Sequence, residues 1–289
     1  MPAAGLLACA AASSFSVALM GACAALRVAS VSPKWMQLSN AVAGGVLLGV
    51  ALVHMLPENS EALEPWGKAV MSTMGSGDDD DEAYPVGALL CGVGFFLIVG
   101  IELLVGPHSH GHGGAEDKQL EPESPSSDDA QSDNDTVEAQ EGDGSAVVGV
   151  GTFLGVTIHS VVEGLATGSA QTSEAVLMLM LAVLLHKGFA GFAVGSSLLG
   201  VGTRRFWWSL VGIFAFAGPL ATIVGGVSTK ALNAEAAAAL QCVAAGTLLA
   251  IGITHMLAPA LEDRGVWRRR KLLAAFASFS AMAALAVWA

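Results

Sequence analysis

The chain has 289 residues, 53% of them hydrophobic and 13% charged, with a formal net charge of −12. An ordinary soluble domain carries about 25% charged residues, so this composition excludes one. The charge is localised: residues 107–144 hold eleven acids and one lysine, Asp78 to Glu82 is an unbroken run of five acids, and the remainder is mildly basic. No basic groove with interleaved aromatics points to nucleic acid.

Eight stretches are apolar over the roughly 18 residues or more that a membrane-spanning helix needs. They are 5–26, 36–57, 84–105, 146–169, 175–199, 206–228, 236–259 and 271–288. Together they leave no room for a separate soluble domain. Ala22-Cys23-Ala24 in the first resembles a signal-peptide cleavage site, but the basic amino-terminal region of such a peptide is missing. A retained first helix is therefore expected. Cys9, Cys23, Cys91 and Cys242 all fall inside spans, with no metal-ligand spacing and no extracellular framework, so packing is their expected role.

The second span ends in His54-Met55-Leu56-Pro57-Glu58, with a histidine and a carboxylate four apart near the membrane surface. Residues 59–83 read as a polar loop closed by the acidic run, which could raise the local cation concentration at an entrance. Glu102 is a lone carboxylate within the third span, open to an internal hydrogen bond or to a cation route. The next loop begins with His108, His110 and His112 alternating with Ser and Gly, a pattern suited to weak, exchangeable binding of zinc-like ions. The acidic, Ser-rich remainder of 107–144 lacks the apolar residues to bury a core, so disorder is expected there. The organisation is then residues 1–106 with three spans, 107–144 as linker, and 145–289 with five spans.

The fourth span carries His159-Ser160-Val161-Val162-Glu163-Gly164. On a helix, an imidazole and a carboxylate four apart share one face, roughly 6 Å between β-carbons. Both are ligands for a divalent first-row cation. The fifth span repeats the pattern: aligning His159 with His186 pairs Gly164 with Gly191, Ala166 with Ala193, Gly168 with Gly195 and Ser169 with Ser196. A second repeat aligns His54 with His255, Gly45 with Gly246 and Met55 with Met256. Inverted repeats around a shared site mark a transporter. Pro57 and Pro259 are expected to loosen or end their helices.

With both motifs on adjacent spans, the sequence resembles the ZIP (Zrt/Irt-like) family of divalent-metal transporters. That family has a His-x-x-x-Glu-Gly motif in its fourth helix, matched by His159, Glu163 and Gly164. One branch has His-Lys in the fifth, matched by His186-Lys187. The resemblance implies an all-α membrane protein of eight spans in a 3+2+3 inverted-repeat arrangement. It implies import of Zn²⁺, or of Fe²⁺ or another divalent cation, by alternating access, and it admits a homodimer. The metal is cargo, with no prosthetic group and no catalysis. His159, Glu163 and His186 are the expected ligands. Candidates for the path are His54, Glu58, Glu102, Ser160, Lys187 and His255. Relatives with two-metal sites carry Asn and acidic residues where this chain has Ser160, Lys187 and Ala190, so a single ion is expected.

Lysine and arginine set the orientation. The loops after spans 1, 3, 5 and 7 hold ten of them, against Lys68 and Lys230 on the other side. Both termini are then outside or lumenal, the loop 107–144 is cytoplasmic, and the plasma membrane is the expected location. The alternative from another class is an intramembrane zinc hydrolase with Glu163 as general base. No second catalytic motif accompanies it.

Overall fold

The computed structural model describes residues 4–74, 83–105, 134–170, 172–227, 233–262 and 266–285. Every regular element among them is helical: α1 (Ala4–Val31), α2 (Pro33–Gly49), α3 (Leu56–Ala62), α4 (Glu64–Thr73), α5 (Val86–Val105), α6 (Asn134–Ser169), α7 (Ser173–Ser197), α8 (Arg204–Val227), α9 (Ala234–Ile251), α10 (Ala258–Leu261) and α11 (Val266–Leu285). Helix starts follow from local chemistry. Thr172 caps α7 by accepting from the Ala175 amide at 3.1 Å, and Asn233 caps α9 by accepting from that of Ala236 at 2.8 Å. Glu174 and Glu235 sit in those first turns, where a carboxylate suits the exposed amides.

Among the described residues, seven continuous helical stretches are long and apolar enough to cross a membrane: Ala4–Val31, Pro33–Ala62, Val86–Leu104, Gly149–Ser169, Ser173–Ser197, Arg204–Val227 and Ala234–Leu261. The chain is thus a multi-pass membrane protein. The eighth expected span falls on α11. Arg268, Arg269, Arg270 and Lys271 occupy its start, which shortens the uncharged run among the described residues. α6 begins at Asn134, inside the stretch expected to be a disordered linker, so 134–144 is helical. Residues 59–73, read from polarity as loop, are also helical to Thr73. Pro65 sits in the first turn of α4, and Glu64 pairs with Lys68 one turn on at 2.9 Å.

Of the two outcomes expected at the prolines, the helices are loosened. Neither ends its helix. Each follows a π-helical turn, Val50–Met55 before α3 and Gly252–Leu257 before α10. The Leu56 amide bonds the Ala51 carbonyl and the Ala258 amide that of Ile253, five residues back. A prolyl nitrogen cannot donate, and the wider turn redistributes the carbonyls left over. Both turns contain a histidine, His54 in one and His255 in the other.

Packing is by small residues. α1 lies along α7, α6 along α8, α5 along α9 and α2 along α11. At each seam a glycine admits the neighbouring backbone. A Cβ on Gly21 would strike the Gly188 carbonyl, one on Gly168 that of Thr222, one on Gly246 that of Cys91, and one on Gly45 that of Ala275. Many large apolar side chains point outward, among them Phe96, Leu104, Phe216, Leu220, Leu273 and Phe276. Water would not tolerate such a surface, and hydrocarbon does.

Candidate metal centre

α6 presents one buried stripe: Thr152, Val156, His159, Glu163 and Thr167 are all nearly inaccessible. Their spacing of three or four keeps them on a single face. α7 contributes His186 and Lys187, also buried. The ring nitrogens of His159 and His186 and a carboxylate oxygen of Glu163 lie within 4.8 Å of one another. The imidazoles meet edge-on with centroids 5.8 Å apart.

The proton positions are informative. His186 Nδ1 lies 2.8 Å from the Ala182 carbonyl, which only accepts, so Nδ1 carries the hydrogen. Nε2 then offers a lone pair, and it sits 2.7 Å from Glu163 Oε1 without the alignment of a hydrogen bond. Two acceptors that close repel unless a proton or a metal cation lies between them. His159 is fully buried, and neither of its ring nitrogens has a hydrogen-bond partner among the described residues. Its Nε2 is 3.8 Å from the same Glu163 oxygen. Leaving a buried polar group unsatisfied costs about 1–3 kcal/mol. Histidines that bind metal use this arrangement, with one nitrogen held by a carbonyl and the other turned to the ion.

The other carboxylate oxygen is engaged. Lys187 Nζ donates to Glu163 Oε2 at 2.6 Å and to Ser160 Oγ at 3.0 Å. The ammonium also lies 5.9 Å from the centroid of the Phe214 ring. Gly218 on α8 leaves it room, since a Cβ there would come within 3.3 Å of Nζ. A small cavity opens beside it, lined by Ser14, Glu163, Thr167, Lys187, Gly218 and Thr222 among others. Ser160 and Lys187 are therefore joined to the candidate centre through the Glu163 carboxylate. Glu163, with both oxygens facing nitrogen groups, is not a free general base.

The remaining expected residues fall elsewhere. His54 Nδ1 pairs with Glu58 Oε1 at 3.1 Å, and Glu58 is about half exposed, at 52%. Glu102 is not a lone carboxylate. His255 Nε2 lies 2.6 Å from its Oε1, and His255 Nδ1 is 2.5 Å from Thr152 Oγ1. The sequence reading did not single out Thr152, although its position seven residues before His159 places it on the same helix face. His108, His110 and His112, with the acidic run 78–82, lie outside the described residues.

A family model described as ZIP Zinc transporter matches residues 4–286. The chain belongs to the ZIP zinc transporter family. It is 32% identical over 270 residues to zinc transporter ZIP2 of Homo sapiens, covering 88% of this chain and 86% of that one. Zinc transporter ZIP2 of Mus musculus is 30% identical over the same shares. Zinc transporter ZIP1 of Danio rerio is 28% identical over 84% of this chain and 82% of its own. Members of the ZIP family are transporters, which removes the support from the hydrolase alternative.

Proposed function

We propose that this ZIP chain moves Zn²⁺, or a similar divalent cation such as Fe²⁺, across a membrane into the cytosol by alternating access. The ion is held at His159, Glu163 and His186. The observation that carries this reading is the His186 lone pair set against a Glu163 carboxylate oxygen, with unpartnered His159 beside them. Two imidazoles and one carboxylate favour Zn²⁺ or Fe²⁺ over Mg²⁺ or Ca²⁺. Such a set is also incomplete, as a site must be if its ion is to leave.

One ion occupies the centre. Lys187 holds the Glu163 oxygen and the Ser160 hydroxyl that a second ion would need. At about 4 Å and an effective dielectric near 20, an ammonium repels a divalent ion by roughly 8 kcal/mol.

α11 serves as the eighth span and completes a 3+2+3 inverted repeat. The pairings support this. The repeat exchanges α1 with α8, α6 with α7, α2 with α9 and α5 with α11. It thereby turns the α1–α7 seam into the α8–α6 seam, and the α5–α9 seam into that of α11 and α2. The unit α1, α6, α7 and α8 moves against α2, α5, α9 and α11. Loop basicity places the loop after α5 in the cytosol and Glu58 outside.

The test is uptake of radiolabelled zinc into proteoliposomes of the purified full-length chain, with metal counting on the same sample. Uptake that saturates, with one tightly held ion per chain outside the histidine-rich loop, is the expected result. Binding without filling of the lumen would overturn transport. Two tight ions in the membrane core would overturn the single-ion centre.

A further inference from the structure

We infer that the corner where the start of α11 meets the start of α2 binds an anionic phospholipid, its phosphate on the arginines and an acyl chain along the outer face of α11. By the loop charges this corner lies in the cytosolic leaflet. None of its residues belongs to the metal centre, so the inference stands apart from the transport reading.

The charge calls for an anion. Arg268, Arg269 and Arg270 follow one another at the start of α11, and all are exposed. Lys34 joins them from α2. Its Nζ lies 5.9 Å from the centroid of the Trp267 ring, and the Arg270 guanidinium carbon lies 5.1 Å from the same centroid. One indole thus gathers cations from two helices. The ring attracts each of them, but they repel one another. The helix end adds to the repulsion, since an N-terminus carries about half a positive charge. The first turns of α7 and α9 answer that charge with Glu174 and Glu235, whereas α11 has no acid in its first turn. No carboxylate is paired with Lys34, Arg268, Arg269 or Arg270 among the described residues.

The neighbouring surface makes that anion a lipid. Lys271 is fully buried and donates to Gln37 Oε1 on α2, which fixes the rotation of α11. At about 100° per residue, Arg269 then points away from α2. Leu272, Leu273 and Phe276 stand three, four and seven residues on, along the same face. They are 54%, 67% and 66% exposed. A single outward face therefore has a guanidinium at its cytosolic end and an apolar stripe below it. A phospholipid matches both parts: its phosphate accepts parallel hydrogen bonds from the guanidinium, and its chain covers the stripe. A water-soluble phosphate would use the arginine and leave the stripe bare. Trp35, exposed beside Lys34, suits the headgroup level. The basic pair at the start of α8 differs. On the face of Arg205 the same offsets hold Trp208, Ser209 and Gly212, which interrupt any apolar stripe.

The test is lipid binding by the purified full-length chain in neutral detergent, counted by native mass spectrometry at fixed salt. The probes are phosphatidylcholine and phosphatidylinositol 4-phosphate. The anionic lipid should bind about tenfold or more tightly than the neutral one. Arg268→Gln/Arg269→Gln/Arg270→Gln should remove that preference. Arg269→Gln alone should weaken the anionic lipid by about fivefold, the share of one cation at an anionic surface. Arg204→Gln/Arg205→Gln should leave it within about twofold. If the triple variant does not fold, the Arg269→Gln and Arg204→Gln/Arg205→Gln proteins decide between themselves. No preference in the parent overturns the inference. So does equal weakening by the changes on α8 and α11, which marks attraction to any basic helix end. Displacement of the lipid by soluble inositol 1,4-bisphosphate or by hexaglutamate, at concentrations comparable with the lipid's, assigns the corner to a free phosphate or to an acidic protein segment and overturns it too.

Discussion

Glu163 serves three partners at once, and that concentrates the consequences of changing it. Its carboxylate faces His186 through one oxygen and Lys187 through the other. Glu163→Gln removes a ligand and strands a buried ammonium. Breaking a buried pair from one side costs about 3–5 kcal/mol. Uptake should be lost, and Tm should fall. Adding Lys187→Met removes the stranded charge, so the double variant should recover most of the stability and none of the uptake. Thermal unfolding beside proteoliposome flux separates the two effects. Recovered uptake in the double variant would show that Glu163 holds only the lysine. In uptake, Lys187→Met alone should be tolerated better than His186→Ala, because the first removes a neighbour and the second a proposed ligand; its Tm should still fall, since the Glu163 carboxylate loses its ammonium. The grouping of His159, Glu163 and His186 was legible from the spacing and the repeated histidine, and the fold brings the three within 4.8 Å. The lysine bridge was not, because the relative rotation of α6 and α7 decides which side chain meets Glu163, and residue spacing within one helix does not encode it.

Among the elements, the glycine seams set how closely the helices approach. Gly21→Ala forces a methyl group into the Gly188 carbonyl, backbone against backbone, where no side chain can give way. Overpacking of this kind costs about 1–3 kcal/mol. The substitution should lower Tm and slow uptake. Gly92→Ala on α5 meets nothing within 4 Å and should be silent in both measurements. Equal effects at the two positions would refute the seam as the constraint. Seven of the eight expected spans were readable from apolar length alone. The π turns were not, since a proline announces a missing donor without saying whether the helix breaks or widens. α3 and α4 were missed for a related reason: polar composition suggested loop, while Pro65 at a first turn and the Glu64–Lys68 pair favoured helix. Glu102 and His255 are separated by four helices, so the packing of α5 on α9 had to be seen before they could be joined.

At the scale of the whole molecule, the transport core and the linker before α6 should be separable. Deleting residues 109–133 leaves every described helix intact. Uptake by the purified deletion protein should stay within about twofold of the parent, because that composition buries no core. Loss of uptake in a deletion protein with unchanged Tm would place the linker in the pathway. The ion pair inside the centre has a further, electrical consequence. With Glu163 and Lys187 both ionised, the empty centre carries no net charge, whereas the loaded one carries the two charges of its cargo. A membrane potential therefore acts on the loaded crossing and leaves the empty return nearly untouched. The field supplies about 2.3 kcal/mol per charge per 100 mV over a full crossing, or roughly 5 kcal/mol for a divalent ion. Potassium gradients with valinomycin should show zinc entry accelerating as the vesicle interior is made negative. An entry rate indifferent to voltage would mean that Lys187 gives up its charge, or that another ion moves in exchange, whenever the cargo passes.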